Sequence, residues 1–108
     1  MVLLSQCSEE IAEATRGLGL VSNKADFLVV ARNICELGRI ANLAMAKEPN
    51  PDPAVLEDVA EQLRLGAEAI EASKFMGELP EPERRLMTKF ISNIRARSNE
   101  MKQESKTI

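Results

Sequence analysis

The stretch from Phe27 to Met45 constrains the chain most. Phe27, Val30, Ile34, Leu37, Ala41 and Ala44 recur three and four residues apart, and Leu28, Ala31, Cys35, Gly38, Asn42 and Met45 repeat that spacing one residue on. Two adjacent stripes at a 3.6-residue period form the broad apolar face of an α-helix. Val29, Ile40 and Leu43 fall on the opposite face beside Arg32, Glu36 and Arg39. A helix apolar in front and partly apolar behind belongs at the centre of a bundle or is shared between subunits.

Around it the chain reads as four helices. Leu4, Cys7, Ile11, Ala14 and Leu18 share one stripe; Ser5 and Ser8 are candidate N-caps, and Gly17 or Gly19 can end the helix in a left-handed residue. Ser22 or Asn23 opens the second helix, from about Asn23 to Lys47. Pro49, Pro51 and Pro53 forbid its continuation, and Asp52-Pro53 is an N-cap followed by proline at the first helical position. The third helix is expected to run unbroken from Pro53 to about Met76, with Leu56, Val59, Leu63, Gly66, Ala67 and Ile70 inward. Leu79-Pro80-Glu81-Pro82 turns the chain again. A fourth helix from about Glu81 carries Met87, Phe90, Ile91, Ile94 and Met101 on one side. Gly38 and Gly66 each lie on a core stripe, where a glycine costs about 1 kcal/mol against alanine. Gly38 is therefore expected against the third helix, and Gly66 against the second.

Three phenylalanines and no Trp or Tyr leave Leu, Ile, Val, Ala and Met to build the core, which suits close-packed helices. A chain of 108 residues can bury roughly two-thirds of its unfolded surface as one domain. The expectation is an all-α fold, an antiparallel four-helix bundle with a short N-terminal helix, over residues 1–102. Residues 103–108 are polar and read as a frayed tail.

Little chemistry is on offer. The absence of histidine removes the commonest general base and metal ligand. Cys7 and Cys35 form no CxxC pair and have no identifiable activating base, so they read as reduced thiols and the chain as cytoplasmic. Cys35, on an apolar stripe, reads as core filling. Met1–Cys7 lacks the basic start and long apolar run of a signal sequence, and no run approaches the roughly 20 residues of a membrane span. The carboxylates Glu9, Glu10 and Glu13, and Glu57, Glu61, Glu68 and Glu71, read as solvated helix faces. Asn50-x-Asp52 lacks the glycine of a calcium loop and is flanked by prolines. No catalytic residue, cofactor, metal or small-molecule substrate is inferred.

What remains is surface. Val29, Ile40 and Leu43, with Leu65 and Phe75 on the outer side of the third helix, suggest one contiguous patch rimmed by Arg32, Glu36 and Arg39. Such a patch fits a protein partner or a homodimer. Arg84, Arg85, Lys89, Arg95 and Lys102 make the fourth helix basic, an alternative face for nucleic acid. No aromatic interleaves these charges, however. From Asp52 to Glu78 there are seven acids and two bases, and from Pro80 to Ile108 four acids and seven bases, so the helices can also complement each other. The expectation is a non-enzymatic protein-binding module: a small regulator, inhibitor, adaptor or chaperone acting through helical contacts. A nucleic-acid-associated regulator is the alternative. Asn42 lies in a core stripe, either buried or at its rim.

Overall fold

The computed structural model describes residues 3–107; Met1 and Val2 of the N-terminal segment and Ile108 of the tail lie outside the described residues. Its elements are all helices: α1 (Leu4–Leu18), α2 (Lys24–Lys47), α3 (Pro53–Ala72), α4 (Lys74–Glu78) and α5 (Glu81–Thr107). None of them is long and apolar enough to cross a membrane.

Helix α1 starts at Leu4, one residue before Ser5, and its first turn buries Leu4 and Cys7. Neither Ser5 nor Ser8 caps it. The Leu3 N–H donates to Gln6 Oε1 at 3.2 Å instead, and Ser8 turns inward to donate to the Asp58 carboxylate of α3. The expected left-handed C-cap is also absent, since no described residue has positive φ. Gly19 stays right-handed at φ −69°. Its N–H donates to Arg16 O at 3.1 Å, and the Leu20 N–H donates to Gly17 O at 3.0 Å. A tightened last turn satisfies those carbonyls without inverting the backbone.

The N-caps of α2 and α3 follow the sequence. Asn23 Oδ1 accepts from the Asp26 N–H at 2.8 Å, and Asp52 Oδ1 accepts from the Ala54 N–H at 2.9 Å. Helix α3 does not reach Met76. Ser73 takes an extended ψ of 138°, and its hydroxyl accepts from the Phe75 N–H at 3.3 Å to start α4. This break swings Phe75 under the molecule. It is 7% exposed, with its ring 5.8 Å from that of Phe27. Burying a large aromatic outweighs the propensity of a few residues to continue a helix. Helix α5 runs to Thr107, past Gln103 where polar composition suggests fraying, and Ser105 is buried within it.

Helix α1 packs on α2 and α3, and α5 packs extensively on α3 and less on α2; among the described residues α1 and α5 do not adjoin. Helices α2 and α3 meet sparingly, where the two glycines allow it. A Cβ on Gly38 would lie 3.1 Å from Leu63 Cδ2 of α3, and one on Gly66 would lie 3.0 Å from Ile34 Cγ2 of α2 and 3.3 Å from Thr15 Oγ1 of α1. Ser8 meets Asp58 and Thr15 meets Gly66, so α1 and α3 advance in the same direction. The core between them is Leu4, Cys7, Ile11, Phe27, Ile34, Leu56, Leu63, Ile70, Met87, Ile94 and Met101, each nearly or wholly buried. Ser98 Oγ crosses it to donate to the Ala60 carbonyl at 2.6 Å, satisfying a buried polar pair between α3 and α5.

Candidate functional site: the outer face of helix α2

Because α2 turns Ile34 and Gly38 toward α3 and buries Ala41, its opposite side faces solvent. Val29 is 66% exposed and Leu43 46% exposed on that side, while Ile40 is half-buried against the core. Fourteen residues of helix separate Val29 from Leu43, about 21 Å. Arg32, Glu36 and Arg39 are exposed on the same outer surface.

The charges there are linked. Arg39 Nε donates to Glu36 Oε1 at 2.9 Å, and Arg39 Nη2 reaches the same oxygen. The hydrogen bond from Arg39 holds the Glu36 carboxyl below its ordinary range, and the fields of Arg39, Arg97 and Arg32 act in the same direction. Arg97 comes from α5 and donates through Nη1 to the Cys35 carbonyl at 3.3 Å. Arg39 is thus bonded to this carboxylate where α2 and α5 meet, while Arg32, one turn earlier on α2, and Arg97, held at the adjoining Cys35 carbonyl, add their fields. Charge pattern alone does not single out Arg97 in the sequence. Its place between Ile94 and Met101 on the edge of the α5 stripe is the signal that could have found it.

Two members of the expected patch do not join it. Phe75 is core, for the reason given above. Leu65 is 39% exposed on the side of α3 opposite Leu63. Leu63 is the residue that approaches Gly38 of α2, so α2 and α3 meet through their inner faces and their outer faces point apart. Leu65 therefore cannot extend the Val29–Leu43 surface.

The basic residues of α5 are also dispersed. Arg84 Nη2 donates to the Leu79 carbonyl at 2.9 Å, closing the end of α4. Arg85 Nη2 meets Glu81 Oε1 at 2.6 Å. Arg95 forms a fork with Glu71 of α3, at 3.1 and 2.9 Å. Lys89 and Lys102 are exposed and make no hydrogen bond or ion pair among the described residues. Three of the five cations are thus engaged within the chain.

Both thiols are poor nucleophiles. Burial, with the charge of Glu10, pushes the Cys7 thiol up, and burial also pushes Cys35 up despite the opposing charge of Arg97. Asn42 is half-buried, with Oδ1 shielded from solvent and without a hydrogen-bond partner among the described residues. The surface concavities are open dents; that between Met45 and the Asn99–Glu104 end of α5 holds about 450 Å³.

Compared with known proteins, the chain matches no family model, no curated protein and no solved structure.

Proposed function

We propose that the chain is a non-enzymatic protein-binding module, a small cytoplasmic regulator, inhibitor, adaptor or chaperone. In this reading α1, α2, α3 and α5 form a four-helix bundle, antiparallel between helices consecutive in the chain but with the neighbours α1 and α3 parallel, that presents the outer face of α2. The observation that carries it is the exposure of Val29 and Leu43 on the face of α2 turned away from the core. Helical recognition uses apolar anchors at helical spacing with charged residues at the rim. A homodimer is one way to cover such a face. Nucleic-acid binding through α5 is less well supported, because Arg84, Arg85 and Arg95 are engaged within the chain.

The test is a Val29→Glu/Leu43→Glu double variant. Both sites are exposed, so its helical circular dichroism and melting midpoint should match the wild type. It should lose partner capture from the native host or, if the wild type is a dimer by light scattering, become a monomer. Retention of every partner and of the wild-type mass would rule out α2 as the docking face.

A further inference from the structure

Charge is segregated across the width of the molecule, and the order of packing creates that segregation. Helix α1 carries Glu9, Glu10 and Glu13 against Arg16, and α3 carries Glu57, Asp58, Glu61, Glu68 and Glu71 against Arg64. These two helices are neighbours. Helix α2 carries Lys24, Arg32, Arg39 and Lys47 against Asp26 and Glu36, and α5 carries seven bases against four acids. These two are neighbours as well. One side of the protein is therefore acidic and the other basic, although its formal net charge is only −3.

The basic side has a focus. Arg39 is bonded to Glu36, Arg97 is bonded only to a backbone carbonyl, and Arg32 makes no hydrogen bond or ion pair among the described residues. One carboxylate cannot neutralise three guanidiniums. Beside this surplus stand the exposed side chains of Val29 and Leu43.

We propose that the α2 face, with Arg32, Arg39 and Arg97 along its α5 edge, docks an amphipathic helix whose flank carries carboxylates. This rests on the docking reading above and adds the chemistry of the partner. The anchors of such a helix cover Val29 and Leu43, and its Asp or Glu side chains take the guanidinium hydrogen bonds that Glu36 leaves unfilled. A second copy fits less well. Docked antiparallel across a two-fold axis, it would bring its own Arg32 and Arg39 to the same edge, where like charges oppose association. Nucleic acid fits less well too, since Glu36 and two aliphatic side chains stand among these arginines, and the one aromatic of α2, Phe27, is buried and offers no stacking surface.

The test uses the full chain and two synthetic helical peptides of roughly 20 residues, long enough to span Val29 to Leu43. Both carry one leucine stripe; one has a glutamate flank and the other a lysine flank. Binding is read by fluorescence anisotropy at about 0.05 M and about 0.3 M salt. The glutamate peptide should bind, weaken at the higher salt, and bind about tenfold less tightly to Arg32→Glu/Arg39→Glu; the lysine peptide should not bind. Equal binding of the two peptides, or unchanged binding to the charge-reversed variant, overturns the acidic assignment. If that binding is lost in Val29→Glu/Leu43→Glu, the docking face itself survives. Failure of both peptides to bind overturns the proposal, as does tighter binding of a DNA duplex or a dimer that Arg32→Glu/Arg39→Glu leaves intact. Matching circular dichroism of all variants keeps misfolding out of the comparison.

Discussion

Gly66 shows how much one hydrogen atom decides. With Ile34 Cγ2 3.0 Å from the place a Cβ would occupy, Gly66→Leu should lower stability by about 1–3 kcal/mol through overpacking. Leucine is the better helix former, so an uncrowded site would gain about 0.5–1 kcal/mol. Gly17, with nothing within 4 Å of its added Cβ, is the internal control: Gly17→Ala should raise stability by up to about 1 kcal/mol. Urea denaturation of the pair checks both, and a higher midpoint for Gly66→Leu would contradict the crossing. At Asn42 a shielded, unpartnered Oδ1 implies that Asn42→Leu gains on the order of 1 kcal/mol; an unchanged or lower midpoint in the same assay would show that the amide is satisfied. Cys7 is fully buried and Cys35 partly so, and both thiols are held in the neutral form by burial. In a thiol-reagent assay Cys35 should therefore label slowly in the native state and Cys7 only on unfolding; prompt labelling of Cys7 would contradict the placement of α1.

Among the elements, both ends of α2 and the start of α3 were legible because their signals are local. Asn23 and Asp52 each act on a backbone N–H two or three residues away, and the prolines act through their own φ. The glycine crossings were legible because a glycine on a core stripe has a stated cost and only close packing offsets it. The break at Ser73 was not legible. A serine within a helical pattern becomes a cap only when something draws the next residues out of line, and here that is the pocket beside Phe27, built by residues far away in sequence. For the same reason Phe75 read as a surface residue. Its place in the core implies that Phe75→Ala costs about 3–5 kcal/mol in chemical denaturation, whereas an exposed phenylalanine would cost almost nothing. The extent of the α2 patch was misjudged for a related cause. Periodicity says which side of a helix is outward, but not whether two outward sides share a direction.

At the scale of the whole molecule, the order of packing sets the electrostatics. Glu36, Glu61 and Glu71 have carboxyls held below their ordinary range, first by hydrogen bonds from Arg39, Arg64 and Arg95. Since their folded values lie below the unfolded ones, whatever stability they add is present above an unfolded value of about 4.3. It is lost as pH falls through the folded values. All three pairs are exposed, so the acid-side fall in melting temperature should be shallow and largely removed by high salt. The same arrangement leaves the α2 edge with surplus arginine beside Val29 and Leu43, the face proposed to meet another protein. Comparing partner capture from the native host by wild type, Val29→Glu/Leu43→Glu and the opposite-face variant Leu65→Glu, all equally folded, tests that role most directly. A partner retained by wild type and Leu65→Glu and lost by the double variant is expected; the same partners on all three proteins would contradict the docking role of α2.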